Sequence, residues 1–256
     1  MSVMFESAIM KLERVEHYVH ELDKTFTDFM HKRPHHPIIK GEPVGTGQWT
    51  VGVQVAMTAP FPVEIPLILG DAIHNYRCVL DHLIWEMIAE DGGSQSRYAK
   101  FPFGKMQGDF ENFVNQLPTP ELATKSLILN LGAFEGGPGN ILYGVHALDN
   151  RDKHQVITPV VQMSQVEGIV LINLNTGERT ELDPFTCDFY DEPNWTVYTA
   201  PPGFGIDADY QFGTTRDIFF PTNLPFAGQP IIATLAHISM AVEAVMIRFQ
   251  SLASSK

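Results

Sequence analysis

The sequence predicts an α+β protein, a helical bundle of three or four long helices packed with an antiparallel β-sheet. Three observations carry this expectation. Stretches near the start, over residues 64–90 and at the end repeat apolar residues every three or four positions, the period of a helix with one buried side. Residues 156–222 instead hold short runs rich in valine, isoleucine and aromatics, punctuated by proline and glycine. A hydrophobic content of 44% over 256 residues is enough for a sizeable core. We read one domain over 1–256, with a helical core at 1–155 and 229–252 and a β-rich segment at 156–222.

From the start, Phe5, Ala8, Leu12, Val15, Val19, Leu22, Phe26 and Phe29 form a seam for packing along another helix. His17 and His20 lie off that seam beside Glu13, Glu16 and Glu21 and read as solvated surface. Pro34 and Pro37 break the helix, because each disfavours helical geometry in the residue before it. The histidines around them, His31, His35 and His36, read as a loop cluster with no acid to complete a metal site. Trp49, Val51, Val53, Val55 and Met57 alternate with Thr50, Gly52, Gln54 and Ala56, as in a half-buried strand. Pro60 and Pro62 end it, and 64–90 follows as one long helix closed by Asp91-Gly92-Gly93.

Two shorter helices are expected next. One covers Asp109–Leu117; the other opens with Thr119 as side-chain cap and Pro120 in its first turn, and closes at Gly132. The glycine-rich residues 134–140 could receive an anion ahead of a helix running from Asn140 to about Lys153. Strands are expected at 156–162, 168–174, 186–190, 195–200 and 217–220, with Asn175-Thr176-Gly177 turning a hairpin. Asp188, Asp191 and Asp209 read as solvating loops and an exposed side there. The last helix, about Gln229 to Leu252, is nearly apolar, and its His237 reads as a core histidine.

Thirty acidic against 17 basic residues leave a net charge of -13, which argues against duplex DNA and anionic membranes as partners. A local basic pocket stays compatible with a short RNA strand or a small phosphate-bearing ligand. Cys78 and Cys187 stand far apart with no C-x-x-C, as suits a reduced cytoplasm. The first residues reach charge too early for a secretory signal. His237 and Glu243 inside the most apolar stretch favour a buried core helix over a membrane span.

The chemistry concentrates on two helical stripes. Along 64–90 the side opposite the apolar one carries Asp71, His74, Asn75, Cys78, Asp81, His82 and Trp85, with Arg77 at its edge. A solvated helix face is usually built from lysine, glutamate, glutamine and arginine, so short acids, imidazoles, an amide and a thiol point to a meeting with a substrate, an ion or another polar helix. On the next informative helix His146, Asp149, Asn150 and Lys153 share one stripe, followed by His154. We expect the faces of 71–82 and 146–154 to approach one another around a cleft.

Three chemistries stay open. One is metal-independent phosphodiester cleavage, with Arg77 steadying phosphate charge and His82 as base or acid toward a ribose hydroxyl. The run from Arg77 to His82 satisfies the arginine, four to six residues, histidine pattern and so resembles HEPN-superfamily ribonucleases, helical proteins usually active as dimers. Where that superfamily tends to place a polar residue after the arginine, this chain has Cys78. This reading takes Arg77, His82, His74 and Asp81 as catalytic candidates and Asp71, Asn75, His146, Asp149, Lys153 and His154 as substrate-binding ones, with no metal or cofactor. Gly70-Asp71, His74-Asn75, Asp81-His82 and Asp152-Lys153-His154 also resemble an uncharacterised bacterial group, which implies a recurring α+β unit and no settled activity. A second chemistry is a divalent metal held by some of Asp71, His74, His82, His146 and Asp149, loosely similar to DinB-like bundles, activating water for hydrolysis. The third is no catalysis: Arg77 and Lys153 pair with Asp71, Asp81 or Asp149 in a binding or assembly module, a homodimer built through helices.

Overall fold

The computed structural model describes residues 4–32, 35–43, 49–57, 59–187, 194–207 and 214–256. Its elements run α1 (Glu6–His31), β1 (His35–Pro43), β2 (Trp49–Met57), α2 (Glu64–Glu90), α3 (Gln107–Asn115), α4 (Leu122–Leu131), α5 (Asn140–Asp152), β3 (Val160–Val166), β4 (Val170–Asn173), β5 (Arg179–Glu181), β6 (Phe185–Cys187), β7 (Asn194–Thr199), β8 (Phe204–Ile206), β9 (Thr214–Phe219) and α6 (Ile231–Ser254). The protein is α+β, with helices and small antiparallel sheets in largely separate parts of the chain. Contacts divide it into two compact units: Met1–Thr25, Val63–Thr158 and Thr222–Lys256 in one, Phe26–Pro62 and Pro159–Pro221 in the other.

The first unit is helical. Along α1 the expected seam is buried at Phe5, Ala8, Leu12, Val15 and Leu22, while His17 and His20 are exposed. Phe5 itself lies just outside the helix in a left-handed conformation, φ 66°. Every residue of the expected apolar side of α2, from Ile65 to Met87, is buried, and so are Asn75 and Arg77. Tyr76 fixes α2 against α6 by donating to the Leu235 carbonyl at 2.8 Å, and Phe5 meets Phe249 edge to face. Gly70 and Gly144 permit two close approaches: a Cβ on Gly70 would strike the Asp152 carboxylate and one on Gly144 the Phe226 ring.

Two local expectations are corrected here. Helix α4 starts at Leu122, and Thr119 is not its cap: its hydroxyl donates to buried Asp91 at 2.5 Å and accepts from the Glu121 N–H at 3.1 Å. Gly132 does close α4, in the left-handed conformation. His237 is exposed rather than buried, because the buried stripe of α6 runs through Leu235, Ile238, Val242, Val245 and Phe249 and His237 falls outside it. By length and composition α6 is apolar enough to cross a membrane.

Among the described residues the second unit holds three antiparallel three-stranded sheets, ordered β1-β2-β7, β6-β3-β9 and β5-β4-β8. Residues 35–43, expected as loop, form β1 at the edge of the first sheet. An edge strand tolerates prolines because half its backbone donors need no partner within the sheet, which is why the prolines misled. The hairpin at Asn175-Thr176-Gly177 forms as expected. Asn173 Oδ1 accepts from the N–H groups of Asn175 and Thr176, and Gly177 takes φ 72°. Asp188, Asp191 and Asp209 lie outside the described residues, as do the side chains of His35, His36 and Cys187.

Candidate functional site

All candidate residues belong to the helical unit, and α2 and α5 bring several together. Burial of the α2 apolar side sets its rotation, so the other side faces α5 and the loop 91–106. Asp149 of α5 is the hub. Its side chain is 2% exposed, one oxygen lying 2.8 Å from His74 Nδ1 and the other 2.6 Å from Lys153 Nζ. His74 Nε2 in turn lies 3.4 Å from Cys78 Sγ, one turn along α2. Lys11 of α1 donates to Asn75 Oδ1 at 3.2 Å, and Asn75 Nδ2 donates to the Asp71 carbonyl. Asp152 packs its carboxylate over Gly70, and burial pushes that carboxyl up from its ordinary range.

Arg77 and His82 diverge. Five helical steps rotate one from the other by about 140°. Arg77 Nη1 lies 2.5 Å from Asp81 Oδ1 without an aligned acceptor for its hydrogen, and the guanidinium sits over the Phe103 ring at 4.6 Å. His146 meets the same ring, stacked on Phe103 with centroids 4.4 Å apart and planes 4° from parallel. Asn150 Nδ2 donates to His146 Nε2 at 3.0 Å, so the ring proton sits on Nδ1, which is buried without a partner. Burial, then the charge of Arg77, pushes the imidazole down to about 4, so it is neutral at neutral pH. Arg77, Phe103 and His146 help to wall a pocket of about 310 Å³, which Arg97 and Lys100 also line.

His82 faces a neighbouring pocket of about 640 Å³, with Ser7, Asp81, Trp85, Arg97 and Lys100 among its lining. Its Nδ1 lies 2.9 Å from Ser7 Oγ, and that hydroxyl donates to Glu86 Oε1 at 2.6 Å. Glu86 also accepts the Phe5 N–H at 2.5 Å, holding the start of α1. Because Ser7 gives its proton to the carboxylate, it receives one from His82 Nδ1, and the lone pair is left on Nε2. Trp85 is 42% exposed beside it.

The expected approach of 71–82 and 146–154 is therefore present as contacts His74–Asp149 and Arg77–Phe103–His146. Asp71 and His154 stand exposed, and His154 makes its backbone contact to the Arg151 carbonyl, away from both pockets. Of the five metal-ligand candidates His74 and Asp149 bond each other while His82 and His146 turn to other partners, and among the described residues no group of three or more histidine, cysteine, aspartate or glutamate side chains could hold an ion. Reading the sequence missed Ser7, Glu86, Arg97, Lys100 and Phe103. Arg97 and Lys100 lie in a connection with no periodicity to flag them, whereas Ser7 and Glu86 meet only because α1 lies along α2. The His74–Cys78 spacing of four was a usable signal. No family model, curated protein or solved structure matches the chain.

Proposed function

We propose that this protein acts on phosphodiesters without a metal, its substrate a single-stranded RNA or a smaller phosphate-bearing fragment of one. The observation that carries this is His82: one ring nitrogen is tied to the Ser7–Glu86 relay, and the ring lines a pocket whose rim has two cations and an exposed indole. His82 Nε2 takes the proton of a ribose 2′-hydroxyl as that oxygen attacks phosphorus. Arg97 and Lys100 offset the growing phosphoryl charge, and the departing 5′-oxygen receives a proton from solvent. Trp85 offers a base its face, a sequence-tolerant contact. In this reading Arg77 does not touch substrate; it positions Asp81, which also accepts the Phe101 N–H at 2.8 Å and so holds the loop carrying Arg97 and Lys100.

The long helices α1, α2 and α6 are, in the same reading, one bundle, of which α1 and α2 give residues to the wall of the pocket, and the active species is a homodimer. Incubating labelled single-stranded RNA with the protein in chelator tests the proposal. Wild type should yield fragments ending in cyclic phosphate. His82→Gln should be slower by about 10²-fold or more, and Arg97→Ala with Lys100→Ala should weaken RNA binding in a salt-dependent way. Absence of cleavage by wild type, or cleavage unchanged in His82→Gln, would sink it.

A non-catalytic reading has its own support. Arg77 pairs with Asp81 and Lys153 with Asp149, two of the pairs an assembly module would use to hold helix register. Chelator-resistant cleavage decides between the two.

A further inference from the structure

We propose that Cys78, His74 and Asp149 form a second centre, a thiol nucleophile with its base and orienting acid, that acts on activated acyl groups, esters or thioesters. None of the three lines the His82 pocket, and the centre does not rest on the RNA reading, to which the sequence had assigned His74 and Asp149. The order of contacts is the one nucleophilic catalysis needs: Sγ of Cys78 lies 3.4 Å from His74 Nε2, and His74 Nδ1 lies 2.8 Å from Asp149 Oδ1. Asp149 is buried and pinned through its other oxygen by Lys153. An ionised carboxylate only accepts, so the imidazole keeps its proton on Nδ1 and presents its Nε2 lone pair to the thiol. A structural hydrogen-bond network needs no sulfur at the outer end, and here the outer end is the accessible one: the His74 side chain is 54% exposed and Cys78 half-exposed.

Burial, the larger effect, pushes the thiol up, while the nearby charge of Lys11 opposes it. The sulfur thus rests as a thiol and must lose its proton to His74 as it attacks. In the first half-reaction Sγ bonds to the acyl carbon, the carbonyl pair moves to oxygen and returns, and the bond to the alcohol or thiol breaks. That leaving group takes the proton from His74 Nε2. In the second, water attacks the thioester on Cys78, its proton goes to His74, and the departing sulfur is reprotonated. The sum is ester plus water giving acid plus alcohol. Lys11, held at Asn75, is a cation whose charge reaches the sulfur, and it favours substrates whose acyl chain carries a carboxylate.

The test uses the full chain carrying Cys187→Ser, with p-nitrophenyl acetate as acyl donor and iodoacetamide as alkylating probe. Expected are a burst of about one nitrophenolate per chain, an acetyl group on the peptide containing Cys78, and loss of both in Cys78→Ala. His74→Gln, at an exposed position, should fold and should acetylate and alkylate about 10²-fold more slowly below the ordinary thiol range. Its rate should then follow ionisation of the thiol alone, a pH profile different from the parent's. Asp149→Asn should act in the same direction. If Cys78 reacts in His74→Gln at the parent's rate and with the parent's pH profile, or if the burst survives Cys78→Ala, the centre does not exist.

Discussion

His146 shows how a single side chain records its surroundings. Stacked on Phe103 and beside the Arg77 guanidinium, its imidazole is held down at about 4 against an ordinary 6.5. The sign of the linkage follows. Between those two values the unfolded chain binds a proton that the folded chain refuses, so stability from this group is complete above 6.5 and is lost as pH falls toward 4. Urea midpoints measured at pH 7.5 and pH 5 should therefore drop more for wild type than for His146→Gln, which has nothing to titrate. Equal drops would mean that the ring is not protected from protonation. His74, on α2, is instead exposed and bonded to Asp149.

At the level of elements, the close meeting of α2 with α5 depends on Gly70. A Cβ there would stand 2.5 Å from Asp152 Oδ2, and all three carboxyl atoms of Asp152 lie within reach. Gly70→Ala should therefore force the Asp152 carboxylate off its seat and cost its contacts there, lowering stability by roughly 1 kcal/mol in denaturant titrations despite alanine's better helix propensity. A second change at Asp152→Gly, which empties the space, should recover part of the loss. If Gly70→Ala is instead stabilising, the Gly70–Asp152 contact is looser than described and propensity wins. Gly70 and Asp152 belong to the two clusters that stood out in the sequence; their contact gives those clusters a packing reason alongside any chemical one.

For the whole molecule, the proposed homodimer has a candidate surface in α6. Ala233, Met240, Ala244 and Ile247 are exposed and recur at helical spacing, with Met240 at 66% and Ile247 at 58%. Such a stripe carries small residues between larger apolar ones, as a helix pair from two copies would use. Light scattering on the purified chain should report twice the 28.6 kDa chain mass, and Met240→Glu with Ile247→Glu should return it to one. A monomeric wild type overturns the dimer and leaves the RNA reading to stand or fall on its own assay.

The α+β class, the limits of α2 and the hairpin at Gly177 were legible from the sequence because each depends on local spacing: helical period, strand period, and a turn residue able to take positive φ. Edge strand β1 was not, since prolines read locally as a break and only pairing with β2 makes them a strand. The site divides the same way. Which residues carry chemistry was visible on the polar faces of 64–90 and 140–153. Their partners were a matter of tertiary structure, because Asp149 reaching His74, Phe103 meeting both Arg77 and His146, and Ser7 reaching His82 are contacts between separate elements, set by how helices rotate and pack.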